Sequence, residues 1–309
     1  PFEIFLVTSL CLSFFIRVDG HPVFASVVLT VSAVLNIILD WLLIAVLEMG
    51  VEGAVLANGL SHFVGAVVCI LFCVKYLNLK IVWKRGSWRE VLSASYNGFS
   101  EFTNEISAGI LIFVFNQVMI TKMGVDGVAA FTVVTYLLLV GLMIAYGVCD
   151  ALQPILSKNF GAGDSERIKT FLHIAGISVF LVGVSIVLLI FLIPNLLIDL
   201  FLETDDGRTE TIVLNFFSVF WPAFLFNGAN LLISAYFTAM HKPLHSTLLA
   251  VSRSMAFPVV FLFVLPLFLG DTGIYLSIPA AELCTFSIAL FLLWHNRPSV
   301  LVEIDQKAS

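Results

Sequence analysis

The sequence Gly50-Val-Glu-Gly53 has a counterpart, Gly270-Asp-Thr-Gly273, and each of the two stands between long apolar runs. Upstream of them, Pro22 corresponds to Pro243 at a similar distance from its glycine turn. A block of apolar helices that occurs twice in one chain is typical of transporters, because two similar bundles can move about a site between them. The sequence therefore predicts a duplicated, helical membrane protein.

The composition supports a membrane protein. Apolar residues make up 60% of the chain and charged residues 12%, and the mean hydropathy is +1.06. The apolar runs are long enough for helices that cross about 30 Å of hydrocarbon, and they lack the alternation of a β-barrel. We predict an all-α integral membrane fold with about nine spans. They are 1–16, which is truncated, 22–47, 53–77, 92–121, 128–157, 169–195, 211–238, 246–269 and 273–295.

The basic residues are distributed unevenly between the loops. Almost all lysines and arginines fall in one alternating set of loops, whereas the opposite set holds only Lys122 and Arg208. By the positive-inside rule the first set, which includes the C-terminus, lies in the cytoplasm. We therefore expect a multi-pass protein of the cell membrane with a cytoplasmic C-terminus.

The domain organisation follows from the repeat. An even number of helices separates the two copies, which makes them parallel repeats. On this basis 1–78 is the C-terminal half of a first lobe, with three helices, and 92–296 is a second lobe of six. The basic, tryptophan-containing segment 79–91 is predicted to join them at the cytoplasmic surface in contact with membrane lipid, and 297–309 to be a cytoplasmic tail. Because helices precede the second copy but not the first, we expect an incomplete first lobe.

Four segments carry a family resemblance through their order and spacing. They are Asn36-x-x-x-Asp40, Met49-Gly-Val-Glu-Gly-Ala54, Asn97-Gly-Phe-Ser-Glu-Phe-Thr-Asn-Glu105 and Gln153-Pro-Ile-Leu-Ser-Lys-Asn-Phe-Gly-Ala162. Together they resemble the multidrug and toxic compound extrusion (MATE) family, most of all its bacterial drug-efflux members. The resemblance covers the whole chain, as helices four through twelve of a twelve-helix fold with two six-helix lobes in an inverted V. It implies export of small organic cations in exchange for H⁺ or Na⁺ by alternating access. It also implies a bacterial plasma membrane, a monomer, and no cofactor besides the coupling cation.

Two acidic residues lie in the first helix of the second lobe. Glu101 and Glu105 share one helix face with Asn97, because the three are spaced four residues apart. Charged groups inside a hydrocarbon span are costly, so they are candidates for function. Two nearby carboxylates repel each other unless one is protonated or a cation lies between them. We predict that Glu101 and Glu105 couple ion binding to transport; packing against a neighbouring helix is the alternative. The resemblance also places a functional acid on this helix, with Glu105 as the preferred match.

Other polar residues are candidates for the same site. Asp40 is predicted to take part in ion coupling, or else in helix packing or gating, and Asp150 and Gln153 in a cytoplasmic gate. Glu282 follows Pro279 in the last span and is predicted to lie in a cavity wall, where a purely structural role is the alternative. The predicted substrate cavity contains Asn97, Asn116, Tyr136, Asn227, Asn230 and Glu282. Amides of this kind also serve as contacts between helices.

Further observations bear on the coupling ion, on enzymatic activity and on nucleic-acid binding. The family's sodium-coupled members carry an Asp on the helix equivalent to 211–238, and this helix has no acid, which argues against a Na⁺ site of that type. The chain contains neither a Gly-x-Ser-x-Gly motif nor a Walker phosphate loop, so we predict a transporter driven by an ion gradient and not an enzyme. The net charge of −6 does not suggest a nucleic-acid partner.

Two alternatives stay open. A flippase for lipid-linked saccharides, from the same superfamily, would require a more basic cavity than Arg253 alone provides. A non-transporting receptor or scaffold would not need buried acids.

Overall fold

The computed structural model describes residues 2–76, 87–201 and 207–308, except for the side chains at 100, 305, 307 and 308. Most of the predicted linker 79–91 lies outside the described residues. The chain forms two compact units, Pro1–Arg85 and Gly86–Ser309. We refer to them as the first and the second unit.

The described residues contain helices and no strands. In chain order the helices are α1 (Glu3–Val18), α2 (Pro22–Asp40), α3 (Gly50–Tyr76), α4 (Trp88–Gly161), α5 (Ser165–Leu192), α6 (Pro194–Asp199), α7 (Gly207–Ala239), α8 (Pro243–Val251), α9 (Phe257–Leu269), α10 (Asp271–His295) and α11 (Pro298–Ala308). Two π-helical turns continue these elements: Trp41–Val46 follows α2, and Ser252–Ala256 joins α8 to α9.

The helices match the predicted membrane spans. Within the described residues, 7 helical stretches are long and apolar enough to cross a membrane. The longest, α4, is interrupted at Gly124, which has φ 75° and ψ −158°. It therefore consists of a first arm (88–123) and a second arm (125–161), which correspond to the predicted spans 92–121 and 128–157. α1, with 16 residues, is shorter than the roughly 20 that a complete span requires. The prediction of an all-helical membrane protein is confirmed.

The two copies of the repeat share their turn geometry. Gly50, at the start of α3, and Gly270, just before α10, both have positive φ, at 56° and 59°. The residues before Pro22 and Pro243 also have similar dihedral angles: φ −114° and ψ 51° at one, φ −113° and ψ 63° at the other. The repeat therefore extends from the sequence to the backbone conformation of its turns.

Each copy also brings two helix backbones close together at a glycine. A Cβ atom on Gly53 would lie 3.1 Å from the carbonyl oxygen of Leu43. A Cβ atom on Gly273 would lie 2.6 Å from the carbonyl oxygen of Leu265. The approach at Gly273 leaves no room for a side chain, and the one at Gly53 is tight, which is consistent with the recurrence of the second glycine of each turn.

α7 is the central helix of the second unit. It packs against α4, α5 and α10, and almost every side chain from Asn227 to Ala239 is buried. A helix that is enclosed on all sides must find partners within the protein for its polar groups. Asn227 and Asn230, the asparagines in this buried part of α7, are therefore directed at neighbouring helices.

Two boundaries differ from the predicted ones. α5 ends at Leu192 because Pro194, which cannot continue its hydrogen bonding, begins the short helix α6. The segment 297–309, predicted as a tail, contains the helix α11, whose Leu301 and Val302 are buried and which packs against α5.

Candidate functional site

A buried carboxylate joins α7 to α10. Glu282, in α10, is 3% exposed and accepts hydrogen bonds from Asn227 Nδ2 at 2.6 Å and from Asn230 Nδ2 at 2.7 Å. The Asn230 amide also donates to the backbone carbonyl of Glu282 at 2.9 Å. The two asparagines are three residues apart on α7 and thus face the same way. The structure therefore brings together three of the predicted cavity residues.

The side-chain amides of Asn227 and Asn230, which we call the clamp on Glu282, stabilise a carboxylate at this depth. Hydrogen bonds to an ionised group are stronger than those between neutral groups, and they replace part of the lost hydration. Two buried oxygen atoms, Asn230 Oδ1 and Thr285 Oγ1, have no hydrogen-bond partner among the described atoms. Asn230 contacts Glu282, and Thr285 is three residues from it along α10.

A buried arginine lies in the π-helical turn between α8 and α9. Arg253 is 8% exposed, and its Nη2 donates to Asn104 Oδ1 at 2.7 Å. Ser254 Oγ donates to the same oxygen, also at 2.7 Å. π-helical turns occur frequently at functional sites, where they redirect side chains into the protein. Asn104 thus attaches the first arm of α4 to this turn.

The same asparagine continues the hydrogen-bond chain towards the predicted coupling acids. Asn104 Nδ2 donates to the Tyr146 hydroxyl at 2.8 Å. That hydroxyl donates to Glu105 Oε1 at 3.2 Å. Glu105 itself is exposed in the second unit, and so is its hydrogen bond with Tyr146. Arg253 and Glu105 are therefore linked through two intermediate side chains.

A small cavity lies between these polar groups. Its volume is about 100 Å³, and its polar lining includes Asn227, Arg253, Ser254 and Glu282. Arg253 attracts the carboxylates of Glu282 and Glu101 electrostatically. Among the described residues Arg253 forms no ion pair shorter than 4.0 Å. The opposite charges of Arg253 and Glu282 therefore line one cavity without direct contact.

The other predicted coupling acids have different surroundings. Glu101 is half-buried, and the charges of Arg253, Asp150 and Glu105 act on it. Asp40 belongs to the first unit, where it is half-buried at the end of α2 next to the π-helical turn. Asp150 and Gln153, predicted as a gate, are both half-buried in the second arm of α4.

Four predicted cavity residues do not line the cavity at Glu282. Asn230 contacts Glu282 but is absent from the lining. Asn97 Nδ2 donates to the backbone carbonyl of Thr238 at 3.3 Å, which attaches α4 to the end of α7. Tyr136 is 50% exposed and stacks on Phe201, with a ring-centroid distance of 5.6 Å. Asn116 is half-buried in the first arm of α4 and is absent from the lining.

Sequence reasoning missed Asn104, Tyr146 and Ser254. Asn104 precedes Glu105 within the motif that carried the family resemblance, so its position was a usable signal. Arg253 had been recognised as an intramembrane base, but the sequence did not show which helix it faces. No group of three or more His, Cys, Asp or Glu side chains in the described parts of the chain could hold a metal ion.

The chain is similar to one protein-family model and to curated multidrug export proteins. A family model described as MatE matches residues 108–264. The multidrug export protein MepA of Staphylococcus saprophyticus is 23% identical over 303 residues, which are 97% of this chain and 66% of that protein. MepA of Staphylococcus aureus strain N315 is 25% identical over 310 residues, with 98% of this chain and 66% of that protein covered. The chain thus spans 66% of the length of these curated relatives.

Solved structures show the same fold. A crystal structure of MATE in complex with MaL6 superposes with a TM-score of 0.87 at 21% identity, covering 97% of this chain and 68% of that one. The outward-facing conformation of a multidrug resistance MATE family transporter of the MOP superfamily gives a TM-score of 0.84 at 23% identity, covering 93% and 65%.

Proposed function

This chain belongs to the MATE family, and from that premise we propose that it is part of a secondary-active efflux transporter that exchanges organic cations for a monovalent cation. The observation that carries the proposal is the set of carboxylates, Glu101, Glu105 and Glu282, within the membrane-spanning helices of the second unit. Such groups are costly in hydrocarbon and mark ion or substrate pathways in transporters.

Glu101 and Glu105 are the acids best placed for exchange. Glu282 is enclosed by amides, whereas Glu105 is exposed in the second unit and Glu101 is half-buried. A proton, a metal cation or an organic cation can neutralise an accessible carboxylate pair, and each of them reduces the attraction for the others. Competition of this kind couples the release of an organic cation to the entry of the coupling ion.

The remaining parts of the proposal come from the sequence. Energy is supplied by an H⁺ or Na⁺ gradient, the substrates are small organic cations, and the protein works as a monomer in contact with membrane lipid. The distribution of lysine and arginine supports a cytoplasmic C-terminus in the cell membrane. Asp40, Asp150 and Gln153 keep their proposed roles in ion coupling and gating.

A lipid-linked saccharide flippase is the second candidate, favoured by the buried Arg253 at the cavity. An anionic pyrophosphate would need a positive potential there. Glu282, which lines the same cavity, and Glu101, which lies within the electrostatic influence of Arg253, work against such a potential. The acids therefore favour a cationic substrate.

The proposal is tested by dye efflux from cells that lack other multidrug exporters. Glu105→Gln removes the charge and keeps the shape, and we expect efflux of a cationic dye to fall by at least about tenfold, equivalent to about 1.4 kcal/mol. Glu90→Gln is the matched control, because Glu90 is exposed in the first turn of the same helix. Normal efflux by Glu105→Gln at equal membrane abundance would remove Glu105 from the mechanism.

A further inference from the structure

Arg253 is a buried cation for which the proposed exchange has no use. It is 8% exposed and lies in a π-helical turn inside a membrane-spanning stretch, Pro243–Leu269. A charge in such a position is retained only where an opposite charge or strong hydrogen bonds compensate it. Its hydrogen bond to Asn104 satisfies part of the guanidinium, but an amide oxygen carries no net charge.

Glu282 is the buried opposite charge that shares a cavity with Arg253. Both line the space of about 100 Å³, and Arg253 attracts the carboxylate across it. Charges in the protein interior are screened less than charges in bulk water. The two opposite charges therefore interact through the cavity without direct contact.

The surroundings of Glu282 contain oxygen ligands of the kind that a hard cation binds. The cavity lining itself provides the Glu282 carboxylate and the Ser254 hydroxyl. Asn230, which donates to Glu282, and Thr285, three residues further along α10, lie outside that lining, and their amide and hydroxyl oxygens have no hydrogen-bond partner among the described atoms. What distinguishes this place from a metal site is that a guanidinium already supplies the positive charge.

We propose that Arg253 is the resident counter-cation of Glu282 and replaces a bound Na⁺ at this carboxylate. The exchangeable cation is then confined to Glu101 and Glu105. The consequence for ion selectivity rests on the proposed transport function. The charge balance between Arg253 and Glu282 can be measured without any transport.

The test is the thermal stability of the purified protein in detergent, at mildly alkaline pH, with sodium chloride or equimolar choline chloride. Arg253→Met removes the charge and replaces the aliphatic stem of the side chain with an unbranched apolar chain of similar size. We expect sodium to raise the Tm of this variant by about 3 °C more than that of the unchanged protein, because an ion that binds only the folded state stabilises it. Adding Glu282→Gln should abolish the extra stabilisation, and Arg253→Lys should not produce it.

Arg208→Met is the control for loss of a positive charge, since Arg208 is an exposed residue that pairs with Asp126 at 3.4 Å. An Arg253→Met protein that is folded and gains no additional sodium dependence overturns the proposal. So does a gain that persists with Glu282→Gln. If Arg253→Met cannot be purified in either salt, recovery of the double variant with Glu282→Gln supports charge balance, and failure of both overturns it.

The two proposals fail in different ways. A protein with the expected sodium pattern and no dye efflux contradicts the transport function and leaves the role of Arg253 standing. A protein with normal efflux and no sodium pattern contradicts only the role of Arg253.

Discussion

Glu282 and Arg253 are the charged side chains found among the buried residues of the described part of the chain. Glu282 receives two amide hydrogen bonds from α7, and Arg253 shares Asn104 with Ser254. At the scale of single residues, the stability of each buried polar group in the second unit depends on its partner. A buried donor or acceptor that loses its partner keeps its desolvation cost.

The clamp on Glu282 can be measured by a double-mutant cycle. Asn230→Leu removes an amide that donates both to the carboxylate and to the carbonyl of Glu282, and we expect a loss of about 1–3 kcal/mol in the free energy of unfolding. In a Glu282→Gln background the loss should be smaller, since a neutral amide requires less compensation. Thermal unfolding of the four proteins in detergent gives the coupling energy. Equal losses of unfolding free energy in both backgrounds would show that Asn230 does not stabilise the charge of the Glu282 carboxylate.

At the scale of elements, the glycine turns determine how the helices approach. Gly53 and Gly273 each allow a long helix to approach the backbone of the preceding helical segment, and Gly50 and Gly270 provide the positive φ that begins the turn. The interruption of α4 at Gly124 separates two arms at the break that the apolar pattern predicts between 92–121 and 128–157. Glycine backbone conformation thus accompanies each of these turns.

The close approach at Gly273 predicts that alanine destabilises the protein more at this position than at Gly109. Gly273→Ala places a methyl group against the backbone of Leu265, which cannot move aside as a side chain could, and we expect a destabilisation of about 1–3 kcal/mol. Gly109→Ala is the matched control, because no described atom lies within 4 Å of its Cβ position in α4. It should be neutral or stabilising by up to about 1 kcal/mol. Unfolding temperatures of the two variants check this; similar values would contradict the steric argument.

At the scale of the whole molecule, the two copies of the duplicated block differ at the buried charges Arg253 and Glu282. α3 packs against α1 and α2 in the first unit, and α10 packs against α7 and α9 in the second. At the positions that correspond to Arg253 and Glu282 the first copy has Ser32 and His62. An acid and a base that are both confined to the second copy are consistent with the charge balance proposed for them.

The orientation of the molecule in the membrane is also testable. Asp271 begins α10, and Arg297 follows its end; both are exposed. In a cysteine-free background, we expect Asp271→Cys to react with a membrane-impermeant maleimide added to intact cells. Arg297→Cys should react fully only after the membrane is opened. The opposite labelling pattern would reverse the proposed topology.

The sequence by itself determined the class of fold, the positions of the spans, the repeat and the family. Apolar run lengths, glycine turns and ordered motifs are local along the chain, so no tertiary information is needed to recognise them. It also identified Glu282, Asn227 and Asn230 as candidates, because polar groups inside apolar runs are conspicuous.

The tertiary structure decided which of these groups meet. The clamp on Glu282, the role of Asn104 and the cavity shared with Arg253 join residues from helices far apart in the chain. Helix rotation, the π-helical turn at Arg253 and the break at Gly124 set those encounters, and each results from packing over the whole unit. Periodicity gives the face of a helix but not its neighbour, which is why the partners of the buried charges appear only in three dimensions.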